Sequence, residues 1–337
     1  MLFSVAVLAA LFPIALAAPY SEAPHVAKRA PLHSARSGKA IPGQFIVKFK
    51  DGISSDAALR ATAANIKTSH IFKGPFNGFA AALNSKSLEA IRKLPEVEFV
   101  EEDAVIIPAD DLVVPGTGTG TAPRAIVTQL GEPWNLARLS DPTVGSTTYR
   151  YDSSAGAGTC SYVIDTGIQV AHVQFGGRAT WGANFADTSN SDGVGHGTAV
   201  AGIIGSTSYG VAKQTRLIAV KVLNSSGAGT TSGVIRGINF VVTDKVTRSC
   251  PQGVVASLAL GGGASVSINT AVQNLVLANV LVAVPAGTSG VPIATSPAME
   301  PLACTVGSTT QANGCFPGTD YGPLLDIWAP GQNIITI

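Results

Sequence analysis

Two residues in this sequence carry acid–base chemistry in settings suited to it. Asp165 closes the apolar run SYVI (161–164) and is followed by Thr166-Gly167; His196 lies in DGVGHGTAVAG (192–202). A carboxylate next to an imidazole fixes its tautomer and stabilises its cation, so that the ring acts as general base toward a hydroxyl nucleophile. Such a carboxylate belongs at the C-terminal end of a parallel strand, where α/β folds assemble their sites. Such a histidine belongs at a helix start, where the positive end of the helix dipole disfavours imidazolium. Gly195 and Gly197 flank His196, and small residues after it permit close packing of that helix.

The elements needed to hold the pair are legible from about residue 125 onward. CSYVI (160–164), TRLIAVKVL (215–223), GVVASLAL (253–260) and NVLVAV (279–284) are near-continuous apolar runs, as strands covered on both faces must be. Helical segments near 196–205, 231–246 and 266–278 separate them. This alternation predicts an α/β domain with a parallel sheet between helices.

A smaller unit precedes it. GQFIVKFK (43–50), NGFAAALN (77–84) and VEFVEEDAVI (97–106) read as strands, with room for another at 68–73. SDAALRATAANIK (55–67) and SKSLEAIRKL (85–94) have helical spacing. The order predicts a ferredoxin-like α+β sandwich over 42–107. Residues 18–41, rich in Ala, Pro and Ser, are expected to be unstructured. Residues 108–124, containing PGTGTGTAP, read as a linker open to proteolysis.

Composition bounds the rest. The chain of 337 residues is 46% hydrophobic and 13% charged, enough to build large cores, and its net charge of +1 suggests neither nucleic acid nor an acidic membrane surface as partner. Residues 28–103 hold 20 charged side chains against 19 in the longer stretch 125–337, which separates the two units. Leu2–Leu16 with Ala15-Leu16-Ala17 fits a secretory signal of residues 1–17, too short and too interrupted by Pro13 to span a membrane. An extracellular location makes disulfides plausible among Cys160, Cys250, Cys304 and Cys315, whose pairing spacing alone leaves open; none lies in a CxxC, which argues against zinc. Asn224-Ser225-Ser226 has the form of an N-glycosylation acceptor, or is a plain turn.

VIDTG followed by DGxGHGTxVAG resembles the subtilases, and the chain order Asp then His is theirs. GVAKQTRLIAVKVL, GVVASLALGGG, CTVGS and LLDIWAPG extend the resemblance to the proteinase K branch over 125–337, and 42–107 looks like the matching inhibitory propeptide. The resemblance implies a monomeric, secreted serine endopeptidase precursor, bound intramolecularly by its own propeptide. Asp165 would orient His196. Ala259, Leu260 and Gly261 would pair with substrate backbone, with Gly227, Ala228 and Gly229 on the opposite wall, and a peptide or protein substrate would lie between them. His172 matches a structural position. Cys160 and Cys250 match a family disulfide. Cys304 would be left to pair with Cys315 or remain free. Pro301 and Ala303, through their carbonyls, and Asp326 match a calcium site.

The sequence departs from that pattern twice. No serine stands in a GTSxA-like context, and Thr288, in VPAGTSG, occupies the place of the family's oxyanion asparagine. A chain without the nucleophile is expected to be inactive, to leave its propeptide uncut, and to be marginally stable where the serine's helix would cover apolar strands. Three readings follow: an endopeptidase whose sequence is truncated here, a pseudoprotease that binds peptides or related proteases without cleaving them, or a decayed product with no role.

Overall fold

The computed structural model describes residues 29–35, 39–56, 66–108 and 126–337. The signal segment expected at 1–17, most of the helix expected at 55–67 and all of the expected linker beyond Pro108 lie outside the described residues.

The N-terminal domain runs β1 (Leu32–His33), β2 (Ala40–Phe49), β3 (Thr68–Phe72), β4 (Gly78–Ala82), α1 (Ser85–Arg92) and β5 (Val97–Pro108). The sheet order is β1-β5-β2-β4-β3. The four longer strands are antiparallel in the ferredoxin-like order, and β1 adds in parallel to β5, Leu32 opposite Val100. A capping box starts α1: Asn84 Oδ1 accepts from the Ser87 amide, and Ser87 Oγ accepts from the Asn84 amide, both at 3.0 Å. One sheet face packs Val47, Phe49, Phe79 and Val100 against Ile91 and Leu88 of α1.

Part of the segment expected to be unstructured is built into this domain. Ala30 is buried; its amide donates to the Arg92 carbonyl (2.7 Å), and its carbonyl accepts from Arg92 Nε (2.9 Å). Local composition does not reveal this, because a two-residue strand is held entirely by the edge of β5 that it completes.

The C-terminal domain opens with β6 (Ile126–Leu130), the short helix α2 (Trp134–Ala137) and β7 (Thr148–Asp152), β6 and β7 forming a two-stranded antiparallel ribbon. There follow β8 (Cys160–Asp165), β9 (Ala179–Asn184), α3 (His196–Gly205), β10 (Arg216–Lys221), β11 (Gly229–Thr230), α4 (Thr231–Thr247), β12 (Val254–Ser257), β13 (Leu260–Gly261), α5 (Val266–Leu277), β14 (Leu281–Pro285), β15 (Cys304–Thr309) and β16 (Ile327–Pro330). Seven of these strands make one parallel sheet in the order β16-β15-β14-β12-β8-β10-β9. Every residue of β8 is buried. Tyr162 and Ile164 join the core formed with α4 and α5, while Val163 packs with Val200 and Ala201 of α3. Cover on both faces explains why β8 reads as an unbroken apolar run.

The two domains share one core. Ile46, Phe72, Phe99 and Ile106 of the N-terminal sheet, with Phe76 of the turn between β3 and β4, cluster with Val234, Ile238, Ile268 and Val272 of α4 and α5. Asn239 clamps the same contact: its Nδ2 donates to the Phe76 carbonyl (2.9 Å), and its Oδ1 accepts from the Phe76 amide (3.3 Å).

Cys160 and Cys250 form a disulfide across 90 residues of sequence. Removing it by Cys160→Ser with Cys250→Ser is expected to cost about 4–5 kcal/mol through the freed entropy of so long a loop. Chemical denaturation of the two proteins side by side checks this, and equal midpoints would refute it. Cys304 opens β15, whereas Cys315 bridges to Thr309 at the far end of that strand. Five residues of strand separate the two by roughly 16 Å, beyond disulfide reach, so the expected option of a Cys304–Cys315 pair does not hold; both are free thiols.

Candidate active site

Asp165 ends β8 and His196 begins α3, and the fold brings them into contact: His196 Nδ1 lies 2.7 Å from Asp165 Oδ1. Asp165 is fully buried, and the imidazole is nearly so. Asp165 Oδ1 also accepts from the Thr166 amide (2.6 Å), while Oδ2 is buried without a hydrogen-bond partner among the described residues. A carboxylate held on Nδ1 makes that nitrogen the donor and leaves Nε2 as the basic nitrogen. Closeness here depends on Gly197: a Cβ at that position would stand 2.1 Å from the Gly167 carbonyl oxygen and 3.1 Å from Asp165 Cβ.

Asp192, which sequence reasoning quoted only as part of a motif, ties these pieces together. Its Oδ1 accepts from Thr166 Oγ1 and the Gly195 amide, both at 2.8 Å; its Oδ2 accepts from the Thr198 amide (2.9 Å) and Thr198 Oγ1 (2.6 Å). Thr166 Oγ1 in turn accepts from the Gly197 amide (2.9 Å). The residue after Asp165 and the first turn of α3 are thus bound to one carboxylate. Burial works against that charge, but the hydrogen bonds from Thr198, Gly195 and Thr166 outweigh it and hold the Asp192 carboxyl below its ordinary range. The available signal was an acidic residue just ahead of a helix start, where it supplies orphan amides with an acceptor.

A strand already lies between the two expected cleft walls. The end of β5 pairs antiparallel with β11 on one side, Ile106 opposite Gly229 and Val105 opposite Thr230. On the other side it pairs antiparallel with β13, Pro108 opposite Leu260 and Ile107 opposite Gly261. Gly227 faces Pro108 closely enough that an added Cβ would stand 3.5 Å from Pro108 Cγ. Ala228 holds the wall's turn, its carbonyl accepting from the Asn224 amide at 2.8 Å.

Thr288 borders two spaces, one reached by the end of that strand and the other by His196. It borders a pocket of about 280 Å³ shared with Ile107, Pro108 and Gly261, and an apolar cavity of about 360 Å³ shared with His196, Ala259, Val306 and Ile334. Asp320, another residue the sequence did not single out, shapes the Thr288 loop: its Oδ1 accepts from the amides of Ser289 (2.8 Å) and Val291 (3.2 Å).

Two carboxylates of β5 cap helices of the other domain. Glu101 accepts from the amides of Val266 (3.1 Å) and Ser267 (2.7 Å) at the start of α5. Asp103 accepts from the Ser232 amide (3.2 Å) and Ser232 Oγ (2.6 Å) at the start of α4. Both carboxylates are buried. Burial pushes the Asp103 pKa up, against the opposing pull of its hydrogen bonds from Ser232.

Of the expected calcium-ligating residues, Ala303 immediately precedes β15 and Asp326 immediately precedes β16. Pairing of these strands puts Asp326 beside Thr305, whose amide donates to Asp326 Oδ2 at 2.8 Å. Pro301 lies in the exposed turn before Ala303. Two carbonyls and one carboxylate are an all-oxygen set, which suits a hard cation whose shell water completes. No cluster of three or more His, Cys, Asp or Glu side chains suited to a metal occurs among the described residues. His172 sits apart from the pair, at the N-cap of the single 3₁₀ turn Val173–Phe175.

Residues 156–337 match the model of the subtilase family, and residues 44–106 match that of peptidase inhibitor I9. The chain belongs to the subtilase family. It is 47% identical over 332 residues to the subtilisin-like serine protease AsES of Sarocladium strictum, covering 97% of this chain and 80% of that protein. Against proteinase R of Parengyodontium album the identity is 43% over 311 residues, covering 91% and 75%. Among solved structures, a cold-adapted subtilisin-like serine proteinase aligns with a TM-score of 0.57 and 39% identity, covering 60% of this subtilase and 74% of that chain. The described part of this subtilase has no helix long and apolar enough to cross a membrane.

Proposed function

We propose that the chain is the precursor of a secreted serine endopeptidase, held with its substrate cleft filled by its own N-terminal domain. Support comes chiefly from one arrangement: a 2.7 Å Asp165–His196 contact beside a strand clasped antiparallel by both β11 and β13. In this reading His196 takes the proton of a serine hydroxyl on Nε2 and returns it to the leaving amine, while Asp165 stabilises the imidazolium between those steps. Residues 227–229 and 259–261 hold extended substrate backbone, and Thr288 faces the developing oxyanion. Residues 1–17 serve as the secretory signal.

The hydroxyl nucleophile has no GTSxA-like source in these 337 residues. The deciding experiment is to read the transcript beyond codon 337 and assay its product. An open frame running into such a segment, with peptide hydrolysis that His196→Ala abolishes, supports the proposal. A frame that stops, with peptide binding and no cleavage, overturns it in favour of a peptide-binding pseudoprotease, the reading that Thr288 favours.

In a product that carries the nucleophile, Thr288→Asn is expected to raise kcat on the order of 10², somewhat less than a full oxyanion donor is worth in subtilisin, because threonine retains a hydroxyl. An unchanged or lower kcat would remove Thr288 from that role.

Calcium is proposed as a structural ion bound by the carbonyls of Pro301 and Ala303 and the carboxylate of Asp326. Chelation is expected to lower the melting temperature by several degrees, calcium to restore it, and Asp326→Ala to abolish the difference, since a ligand that binds only the folded state stabilises it by mass action. A melt indifferent to chelation would exclude the site.

A further inference from the structure

Asn224-Ser225-Ser226 is the only Asn-x-Ser/Thr triplet in the sequence, and the fold puts it on the lip of the cleft. The triplet occupies the turn between β10 and β11. The Gly227 amide donates to the Asn224 carbonyl (3.0 Å), and the Asn224 amide donates to the Ala228 carbonyl (2.8 Å). Ser225 and Ser226 are exposed. Asn224 Oδ1 is fully engaged, accepting from the Ser226 amide (2.9 Å), Ser226 Oγ (2.7 Å) and the Ala228 amide (3.1 Å). Its Nδ2 makes no hydrogen bond within the described residues and is absent from their buried unpartnered atoms. Substitution on that nitrogen therefore breaks no hydrogen bond, while the oxygen that holds the turn stays in place.

We propose that Asn224 is an N-glycosylation site whose glycan stands on the rim of the substrate cleft. The co-reactant is a lipid diphosphate-linked oligosaccharide of the secretory compartment. Asn224 Nδ2 forms the bond to the anomeric carbon, the bond from that carbon to the diphosphate oxygen breaks, the lipid diphosphate leaves with the electron pair, and the amide gives up one proton. Asn224 and Gly227 are the first and last residues of one β-turn, so their Cα atoms lie within about 7 Å, and a Cβ at Gly227 would stand 3.5 Å from Pro108 Cγ of the strand in the cleft. The first sugar is thus rooted next to the wall that carries β11. It leaves the backbone ladder of β11 untouched, because the Asn224 side chain takes no part in it.

The site rests on the proposal that the chain enters the secretory pathway, and the test separates the two. The full chain is translated in vitro with endoplasmic-reticulum microsomes. Protease-protected chain is expected to gain one discrete increment of mass that peptide N-glycosidase removes, leaving Asp at position 224 labelled when the digestion is run in ¹⁸O water. Asn224→Gln and Ser226→Ala are each expected to lose the increment completely, and Ser225→Ala to keep it. Modification precedes folding, so these outcomes hold whether or not a variant folds well. Protected but unmodified chain overturns the glycan while leaving secretion intact; chain that stays outside the microsomes overturns both.

Discussion

A polypeptide of these 337 residues is expected to cleave a chromogenic peptide about 10⁶-fold more slowly than a subtilase with its nucleophile in place, the loss known for subtilisin when its serine is removed. Asp165 and His196 are in hydrogen-bond contact, but a base accelerates nothing without an atom to deprotonate. What would remain is the modest acceleration over water that a cleft and oxyanion donors supply on their own. The same loss is expected to leave the chain between Pro108 and Ile126 uncut when it is expressed in a protease-deficient host, as intact-mass measurement would reveal. Activity within 10³-fold of a relative, lost on His196→Ala, would sink this expectation; activity that survives His196→Ala would belong to a contaminant.

The second large effect concerns the grip of the N-terminal domain. Glu101→Ala with Asp103→Ala is expected to weaken docking by about 4–5 kcal/mol, or roughly three orders of magnitude, since four hydrogen bonds to buried carboxylates are lost at two helix starts. The measurement is dissociation of the N-terminal fragment after nicking at a protease site engineered between residues 108 and 126. Loss of less than tenfold would mean that the shared apolar core alone sets the grip. Asp103 also gives docking a pH dependence of definite sign. Burial raises its pKa in the docked state, so the docked form binds more protons between the free and docked values. Docking therefore tightens as pH falls from neutral through that window, and the neutral-pH charge is a cost. Asp103→Asn is expected to flatten this term.

The large elements were legible because burial on both faces writes itself as apolar runs. β8, β10 and α3 fall within a residue or two of their expected bounds, and all five expected elements of the N-terminal domain that lie in described residues are present. What escaped is set by tertiary partners. Glu101 and Asp103 look like surface charges in VEFVEEDAVI, and only the docking of β5 against two helix starts makes them buried acceptors. Leu32–His33 is a strand solely because β5 offers an open edge. Asp320 sits in a loop whose local sequence gives no sign of the amides that converge on it, and Asp192 shows only its place ahead of a helix start, not its bond to Thr166. The β6–β7 ribbon was missed as well, its strands being short and half-exposed.

β5 is one strand of twelve residues with two employments: its first part pairs between β1 and β2 in the N-terminal sheet, and its last part lies in the cleft. Pairing with β2, irregular between Ala40 and Phe45 and between Lys48 and Phe49, sets the register of the first part, and the same continuous strand carries it forward to Pro108. The N-terminal domain is therefore a ruler. It measures off, in steps of about 3.3 Å, which residue lies opposite Leu260. One residue added between Ala104 and Ile106 would shift the scale by a single graduation and turn every later side chain to the opposite face. Ile106, 1% exposed, would move to the place of Ile107, 38% exposed, and Ile107 to that of Pro108. The point at which the chain crosses the cleft is thus specified some ten residues away, in the N-terminal sheet.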